Sequence, residues 1–317
     1  MKSILLVKTS SLGDVVHNLP VVSDIRRAIP GAAVDWVVEE NFSAIPAAHD
    51  GVRSVLPVAV RRWRSAMLQP AVRREVGAFA AALRSETYDA VIDTQGLLKS
   101  ALISRAARGA RYGLDWQSSR EPLAPFYDGT FRVPWSQHAV ERNRSLAAQA
   151  LNYVVPAGVD YGIHAAGNAF TWLRPGAYAV LIHSTSASRK LWPESCWHEV
   201  GNHLARRNVH SVFPWGGAAE HERSERLARA LQSAIVPPAL SVREVMALLA
   251  GAHAVIGVDT GLTHLAGALG LPTVGIYCAT DPARTGLHGC RRAQNVGGLG
   301  TIPETAEVIN AVERIAP

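Results

Sequence analysis

"ILLVKTSSLGDVVHNLP", residues 4–20, is the stretch on which the fold turns. Its apolar run, Ile4 to Val7, is too short for a helix and fits a strand over Ser3 to Lys8 that is buried on both faces. The chain leaves that strand through Thr9, Ser10, Ser11, Gly13 and Asp14. In the following "VVSDIRRAIPG", Val21, Val22, Ile25 and Ile29 share one helical face, Arg26 and Arg27 take another, and Pro30-Gly31 ends the pattern. A buried strand, a hydroxyl-rich turn and an amphipathic helix make the first part of a βαβ crossover.

The alternation continues outward from there. Strands are expected at Ala33 to Val38, Val52 to Val58 and Ala90 to Asp93, and a Gly-, Ala- and Pro-rich region runs from about Asn152 to Gly176. The rhythm then restarts at Tyr178 to His183, Ser211 to Trp215, Ala254 to Val258 and Thr273 to Tyr277. The expected fold class is α/β, with two helix-covered parallel sheets of Rossmann type whose strand carboxyl ends face one cleft. The domains are read as residues 1–160 and 177–300, joined by 161–176, with 301–317 forming a helix that packs back on the first domain. A chain of 317 residues is long enough for two such cores.

Composition narrows the function. With 48% apolar and 18% charged residues the chain is globular, and no apolar stretch approaches the roughly 18 residues that span a bilayer. The N-terminal apolar run is too short for a secretory signal, which gives a cytoplasmic expectation. Cys196, Cys278 and Cys290 match neither a disulfide framework nor a zinc site and are read as reduced and structural. Up to about Val155 there are 19 Lys and Arg against 14 Asp and Glu, while the remainder holds 13 against 12. The basic surface therefore belongs to the first half, where it suits an anionic partner. The signatures G-x-G-x-x-G, G-x-x-x-x-G-K-[ST] and G-x-S-x-G are missing, as is any Asp-x-Asp pair, which argues against dinucleotide, P-loop and hydrolase readings.

Four stretches carry candidate chemistry. The loop after the first strand offers backbone N–H groups, hydroxyls and a carboxylate, either as an anion cradle or as a plain helix cap. "VDTGLTHLAGALG", residues 258–270, delivers Asp259 and a Thr260-Gly261 turn to a helix N-terminus, a setting that favours a diphosphate, with His264 close behind. "HSTSASRKLWPESCW", residues 183–197, supplies hydroxyls and Lys190 for phosphoryl oxygens, or else a solvated loop, and its Trp192 and Trp197 read as core or cleft wall. "VRRWRSAM", residues 60–67, concentrates guanidinium groups suited to carboxylates and phosphates, or forms a solvated helix face. No nucleic-acid motif accompanies them.

Taken in order, "VKTSSLGDVVHNLP", "DWVVEE", "VAVRRWR", "DWQSSREPLA", "QHAVERNR", "KLWPE", "PWGG" and "VDTGLTHL" resemble the lipopolysaccharide heptosyltransferase I family, within glycosyltransferase family 9. The resemblance runs from the first strand to about Asp281-Pro282. It implies an inverting glycosyltransferase of GT-B fold that moves L-glycero-D-manno-heptose from ADP-heptose to the inner Kdo of Kdo2-lipid A. Asp14 would be the general base, with Ser10, Ser11 and Gly13 beside the acceptor. Thr185, Ser186 and Lys190 would contact the donor diphosphate, Asp259 the heptose, Thr260, Gly261 and His264 the helix end near the phosphates, and Glu220 or its neighbour Glu222 the ribose. Arg61, Arg62, Arg64, Arg120, His138 and Arg142 would meet the anionic acceptor. The resemblance further implies no metal and no cofactor besides the ADP-heptose substrate, no nucleic acid and no obligate protein partner. It places the chain in the cytoplasm, peripheral on the anionic inner-membrane surface. Two alternatives stay open: a heptosyltransferase of the same fold that adds a later core heptose, and a non-catalytic sugar-nucleotide-binding protein that docks on membranes. "YCATDP" departs from the family pattern, with Cys278 and Ala279 where Gly-Pro or Gly-Ser is usual.

Overall fold

The computed structural model describes residues 2–316. The chain folds as two units, Met1–Ile163 and His164–Pro317. In the first, β1 (Ser3–Val7), β2 (Ala33–Glu39), β3 (Val52–Val58), β4 (Thr87–Asp93), β5 (Arg108–Leu114) and β6 (Gly129–Phe131) form a parallel sheet in the order β3-β2-β1-β4-β5-β6. In the second, β7 (Tyr178–Ile182), β8 (His210–Val212), β9 (Ala234–Ile235), β10 (Ala254–Val258), β11 (Thr273–Tyr277) and β12 (Ala293–Gly297) follow the order β12-β11-β10-β7-β8-β9, again parallel. Followed from its own first strand, the second sheet repeats the winding of the first. Both are doubly wound sheets of Rossmann type, and two of them in one chain make the GT-B fold.

The central strands are the most deeply buried, and most of their residues are apolar. Every residue of β1, β2, β7, β10 and β11 is buried, as expected of strands covered by helices on both faces. The first core gathers Leu5, Val7, Val37, Leu83 and Val91; the second gathers Leu181, Phe213, Ile256, Ile276 and Val308. Trp192 and Trp197 are fully buried in the second core, ring edge to ring face at 5.3 Å, so both are core.

Four strands lie outside the expectation: β5 "RGARYGL", β6 "GTF", β9 "AI" and β12 "AQNVG". Three of them are sheet edges and all carry half-exposed positions, so none needs an apolar run. The C-terminal helix Thr305–Ile315 packs on β11, β12 and the helix Glu194–Arg206 of the second unit, where Val308, Ala311 and Val312 join the second core. Among the described residues no helix is long and apolar enough to cross a membrane.

Winding in each sheet reverses once, between β1 and β4 in the first and between β7 and β10 in the second. In an open α/β sheet, ligands bind outside the carboxyl ends of the strands at such a reversal. The loops at residues 8–11 and 94–97 meet at the first reversal; those at 183–190 and 259–260 meet at the second.

Candidate active site

At the first reversal the loop after β1 is a mount for a carboxylate. Gln95 Oε1 accepts the backbone N–H groups of Thr9 and Ser10, each at 3.0 Å, and Lys99 Nζ donates to Ser10 Oγ at 2.6 Å. Asp14 Oδ2 accepts from Ser11 N at 2.8 Å and Ser11 Oγ at 3.0 Å, so aspartate and serine cap the five-residue helix Leu12–Val16. Of the loop's backbone donors, the N–H groups of Thr9, Ser10 and Ser11 are taken by Gln95 and Asp14. What the loop presents is Asp14, half-buried, whose Oδ1 accepts no hydrogen bond among the described residues.

Behind Gln95, the buried Asp93 accepts from Gln95 N, Gly96 N and the Tyr127 hydroxyl, which fixes the loop after β4. Burial raises the Asp93 pKa, and those bonds oppose the rise. Two lysines flank the mount. Lys8 Nζ is buried and donates to Thr94 O at 2.6 Å and Asn143 Oδ1 at 3.4 Å; burial lowers its pKa, and Asp14 and Asp93 act in the other direction. Burial lowers the Lys99 pKa as well, opposed by the charges of Glu39 and Asp14.

The six basic residues assigned to the acceptor separate into two groups. Arg62 is held by Glu40 at 3.1 Å and Glu75 at 2.8 Å, and Trp63 Nε1 joins it on Glu75. Arg142 donates to Ser118 O and Val133 O and lies 3.9 Å over the Trp135 ring, bracing two loops. His138 is buried and caps the helix Ala139–Leu151, accepting from Val140 N at its Nδ1. Structural bonds therefore occupy these three. Arg61, Arg64 and Arg120 are exposed, and among the described residues no carboxylate pairs with them.

At the second reversal everything converges on Asp259, which is only 4% exposed. Its Oδ2 lies 2.7 Å from Lys190 Nζ and accepts from Thr280 Oγ1 at 2.6 Å; its Oδ1 is 3.3 Å from His264 Nε2. Thr185 Oγ1 donates to the Asp259 carbonyl at 3.1 Å. Burial alone would raise this carboxyl, but the bonds from His264, Lys190 and Thr280 outweigh it and hold the group well below the usual carboxylate range. Lys190 is thus a paired group with a side chain only 22% exposed, not part of a solvated loop. Thr260 stands in extended backbone at the N-cap position of the helix Gly261–Ala268 without a side-chain capping bond, and Thr263 Oγ1 donates to Val258 O at 2.7 Å. Gly257 permits that close packing, because a Cβ there would stand 2.2 Å from Thr263 Oγ1. Ser186 is exposed beside the same loop.

Glu220 Oε2 accepts Gly216 N at 2.7 Å and closes the "PWGG" turn, where the Trp215 and His221 rings lie 4.4 Å apart. His183, fully buried at the end of β7, links two segments: Nδ1 meets Ser184 Oγ at 2.7 Å and Nε2 meets Ser224 Oγ at 2.8 Å. Burial, with Arg223 and Arg226 nearby, lowers its pKa to about 3. Lys8, Gln95, Lys99, His183 and Thr280 are site residues that sequence reasoning missed; only Thr280 lay in a segment whose sequence stood out as unusual. Among the described residues no cluster of three or more His, Cys, Asp or Glu could hold a metal ion.

The glycosyltransferase family 9 (heptosyltransferase) model matches residues 76–309. Lipopolysaccharide heptosyltransferase 1 of Pseudomonas aeruginosa is 49% identical over 290 residues, covering 90% of this chain and 81% of that protein. The E. coli heptosyltransferase WaaC with ADP superposes with a TM-score of 0.88 at 41% identity, over 99% of this chain and 100% of the other. The same enzyme with ADP-2-deoxy-2-fluoro heptose gives a TM-score of 0.81 at 42% identity, over 98% of both chains. Two Rossmann-type sheets, each with polar side chains gathered at its reversal, and this degree of likeness lead to one conclusion: the chain belongs to glycosyltransferase family 9, the heptosyltransferases.

Proposed function

We propose that the chain transfers L-glycero-D-manno-heptose from ADP-heptose to the inner Kdo of Kdo2-lipid A, with inversion, in the assembly of the lipopolysaccharide inner core. The donor is supported by the relative solved with ADP and with an ADP-heptose analogue. The acceptor is supported by 49% identity to a lipopolysaccharide heptosyltransferase 1. The observation that carries the chemistry is Asp14, rigidly mounted, with one carboxylate oxygen open and two lysines near it.

In this reading Asp14 takes the proton of the attacking Kdo hydroxyl while that oxygen bonds to the anomeric carbon of the heptose and the bond to the β-phosphate oxygen breaks. General-base assistance of this kind contributes about 10²–10⁴-fold. A single displacement inverts the anomeric centre and needs no covalent enzyme intermediate. The departing ADP gains charge, which Lys190, Thr185, Ser186 and the helix end at Thr260 and Gly261 offset. Asp259, with His264, holds the heptose hydroxyls and orients Lys190, and Glu220 holds the ribose. Arg61, Arg64 and Arg120 receive the acceptor carboxylates and phosphates, while Arg62, His138 and Arg142 keep their surroundings in shape. The reaction takes place at the cytoplasmic face of the inner membrane, with the chain peripheral on its anionic surface.

The test is ADP release from ADP-heptose with and without Kdo2-lipid A, with the anomeric configuration of the product determined. Acceptor-dependent release and an inverted product are expected. Binding or hydrolysis without transfer overturns the proposal, as does transfer only to an acceptor that already carries heptose.

A further inference from the structure

A large exposed apolar side chain costs free energy in water, roughly 25 cal/mol per Å², so a group of them on one face calls for something to cover it. Met67, Leu68, Leu98 and Trp116 are such side chains, and Leu68 is 85% exposed. Each lies in the segment that follows a strand of the first sheet, β3, β4 or β5. All strands of that sheet are parallel, so these segments emerge at the same end, the end that carries Asp14.

Helix lengths raise Met67 and Leu68 above the rest. The helix Pro70–Arg84 packs on Leu98–Ala106, and Arg84 Nε donates to Ala106 O at 3.1 Å near their C-termini. At 1.5 Å per residue the first is about 22 Å long and the second about 13 Å, so the turn before Pro70 stands roughly 9 Å beyond the first turn of the shorter helix. This tip is ordered: Arg73 Nε donates to Met67 O, and Arg62 and Trp63 are fixed on Glu75. Yet Val72 and Leu83 are the only residues of the 15-residue helix that are buried. Arg61, Arg64, Arg73 and Arg74 flank the tip in sequence, all exposed, and Arg73 is bonded to it. The nearby acids, Glu40 and Glu75, share Arg62 and leave one net negative charge against the four arginines.

We infer that the Met67-Leu68 tip docks the first unit on an anionic lipid bilayer, with the two apolar side chains in the acyl boundary and the arginines on headgroup phosphates. Apolar tip and cationic collar together match a layer whose interior is apolar and whose surface is anionic. Either feature alone would not. A second copy of the chain is a poor occupant, since it would set one arginine collar against another. The inference deepens the proposed function and rests on it in one respect: a lipid-linked acceptor is what makes docking at this end useful.

The experiment is flotation of the full chain with phosphatidylethanolamine–phosphatidylglycerol vesicles and with phosphatidylcholine vesicles. The Met67→Ser/Leu68→Ser and Arg73→Gln/Arg74→Gln variants are compared with wild type. Transfer to a deacylated, water-soluble Kdo acceptor serves as the control for folding. Wild type binds the anionic vesicles and not the neutral ones; each double variant loses about tenfold or more of that binding while transfer to the soluble acceptor is unchanged. Wild-type binding by Met67→Ser/Leu68→Ser overturns the inference, and so does equal affinity of wild type for the neutral vesicles. A change in the oligomeric state of the lipid-free variant also overturns it, by assigning the tip to a second copy. Absence of heptose transfer by wild type in solution would sink the enzymatic reading alone and leave the vesicle result standing.

Discussion

Replacing Gln95 by alanine removes one oxygen and leaves two backbone donors without a partner. Thr9 and Ser10 are buried, so their N–H groups find no ready substitute for Gln95 Oε1. A buried donor left unsatisfied costs about 1–3 kcal/mol, so two of them together take about 2–6 kcal/mol from the conformation that aims Asp14. If that loss is expressed in turnover, at about 1.4 kcal/mol per decade, kcat falls by about 30-fold at the low end and at most by the roughly 10⁴-fold that loss of the base itself would cost. The KM for ADP-heptose should stay within about twofold, because the proposed donor groups belong to the other unit. Gln95→Glu keeps an acceptor at the same reach and should recover most of the activity. The assay is steady-state transfer with the donor varied, run in parallel on an Asp14→Ala background, where Gln95→Ala should cost nothing further because the group it positions is gone. Wild-type kcat in Gln95→Ala, or full additivity with Asp14→Ala, would refute the positioning argument.

Asp14→Ala should lower kcat by about 10²–10⁴-fold with donor affinity nearly unchanged, measured by transfer kinetics and by ADP-heptose calorimetry; a parallel loss of donor binding contradicts the division of roles. Lys190→Ala breaks the contact with Asp259 and should both weaken donor binding and slow transfer, whereas unchanged kinetics would mean that the pair is only structural. His183 gives a pH prediction. Its folded pKa of about 3 lies below the ordinary 6.5, so the unfolded chain binds the proton first and stability falls as pH drops from about 6.5 toward 3. At pH 5 the loss is about 2 kcal/mol, and thermal unfolding of His183→Asn should show a flatter pH profile over this window; an equally steep profile would assign the dependence to another group.

Sequence reading succeeded where one segment carried its own signal. β7 and β10 are apolar from end to end and β1 is so from Ile4 to Val7, whereas the loop Thr-Ser-Ser-Leu-Gly-Asp read equally well as an anion cradle or a helix cap, and Asp14 acquired a proposed role only through the family resemblance. It failed where the signal lies between segments. Gln95 is one polar residue in "DTQG", and its meeting with Thr9 depends on the register that sets Val7 beside Asp93. Lys99 reaches Ser10 for the same reason. Thr280 belongs to a loop whose odd feature was Cys278, while the contact that matters is the hydroxyl two residues later on Asp259. Arg62 and Arg142 were identical in kind to Arg61 and Arg120 on paper; Glu40 and Glu75 on Arg62, and the Ser118 and Val133 carbonyls on Arg142, mark the two braces. The edge strands β6, β9 and β12 were illegible because a half-exposed edge needs little apolar patterning.

The repeated winding has a consequence for how such a chain can diversify. Each sheet has a single place where neighbouring loops diverge, and those loops hang from strands whose own side chains point into helices rather than toward a ligand. On the proposed division of roles, segments 8–11 and 94–97 can therefore be rewritten for a new acceptor without disturbing the scaffold beneath them, and 183–190 and 259–260 for a new nucleotide sugar. Two independently editable specificities on one polypeptide let a lineage explore pairs of substrates combinatorially, changing one partner while retaining the other.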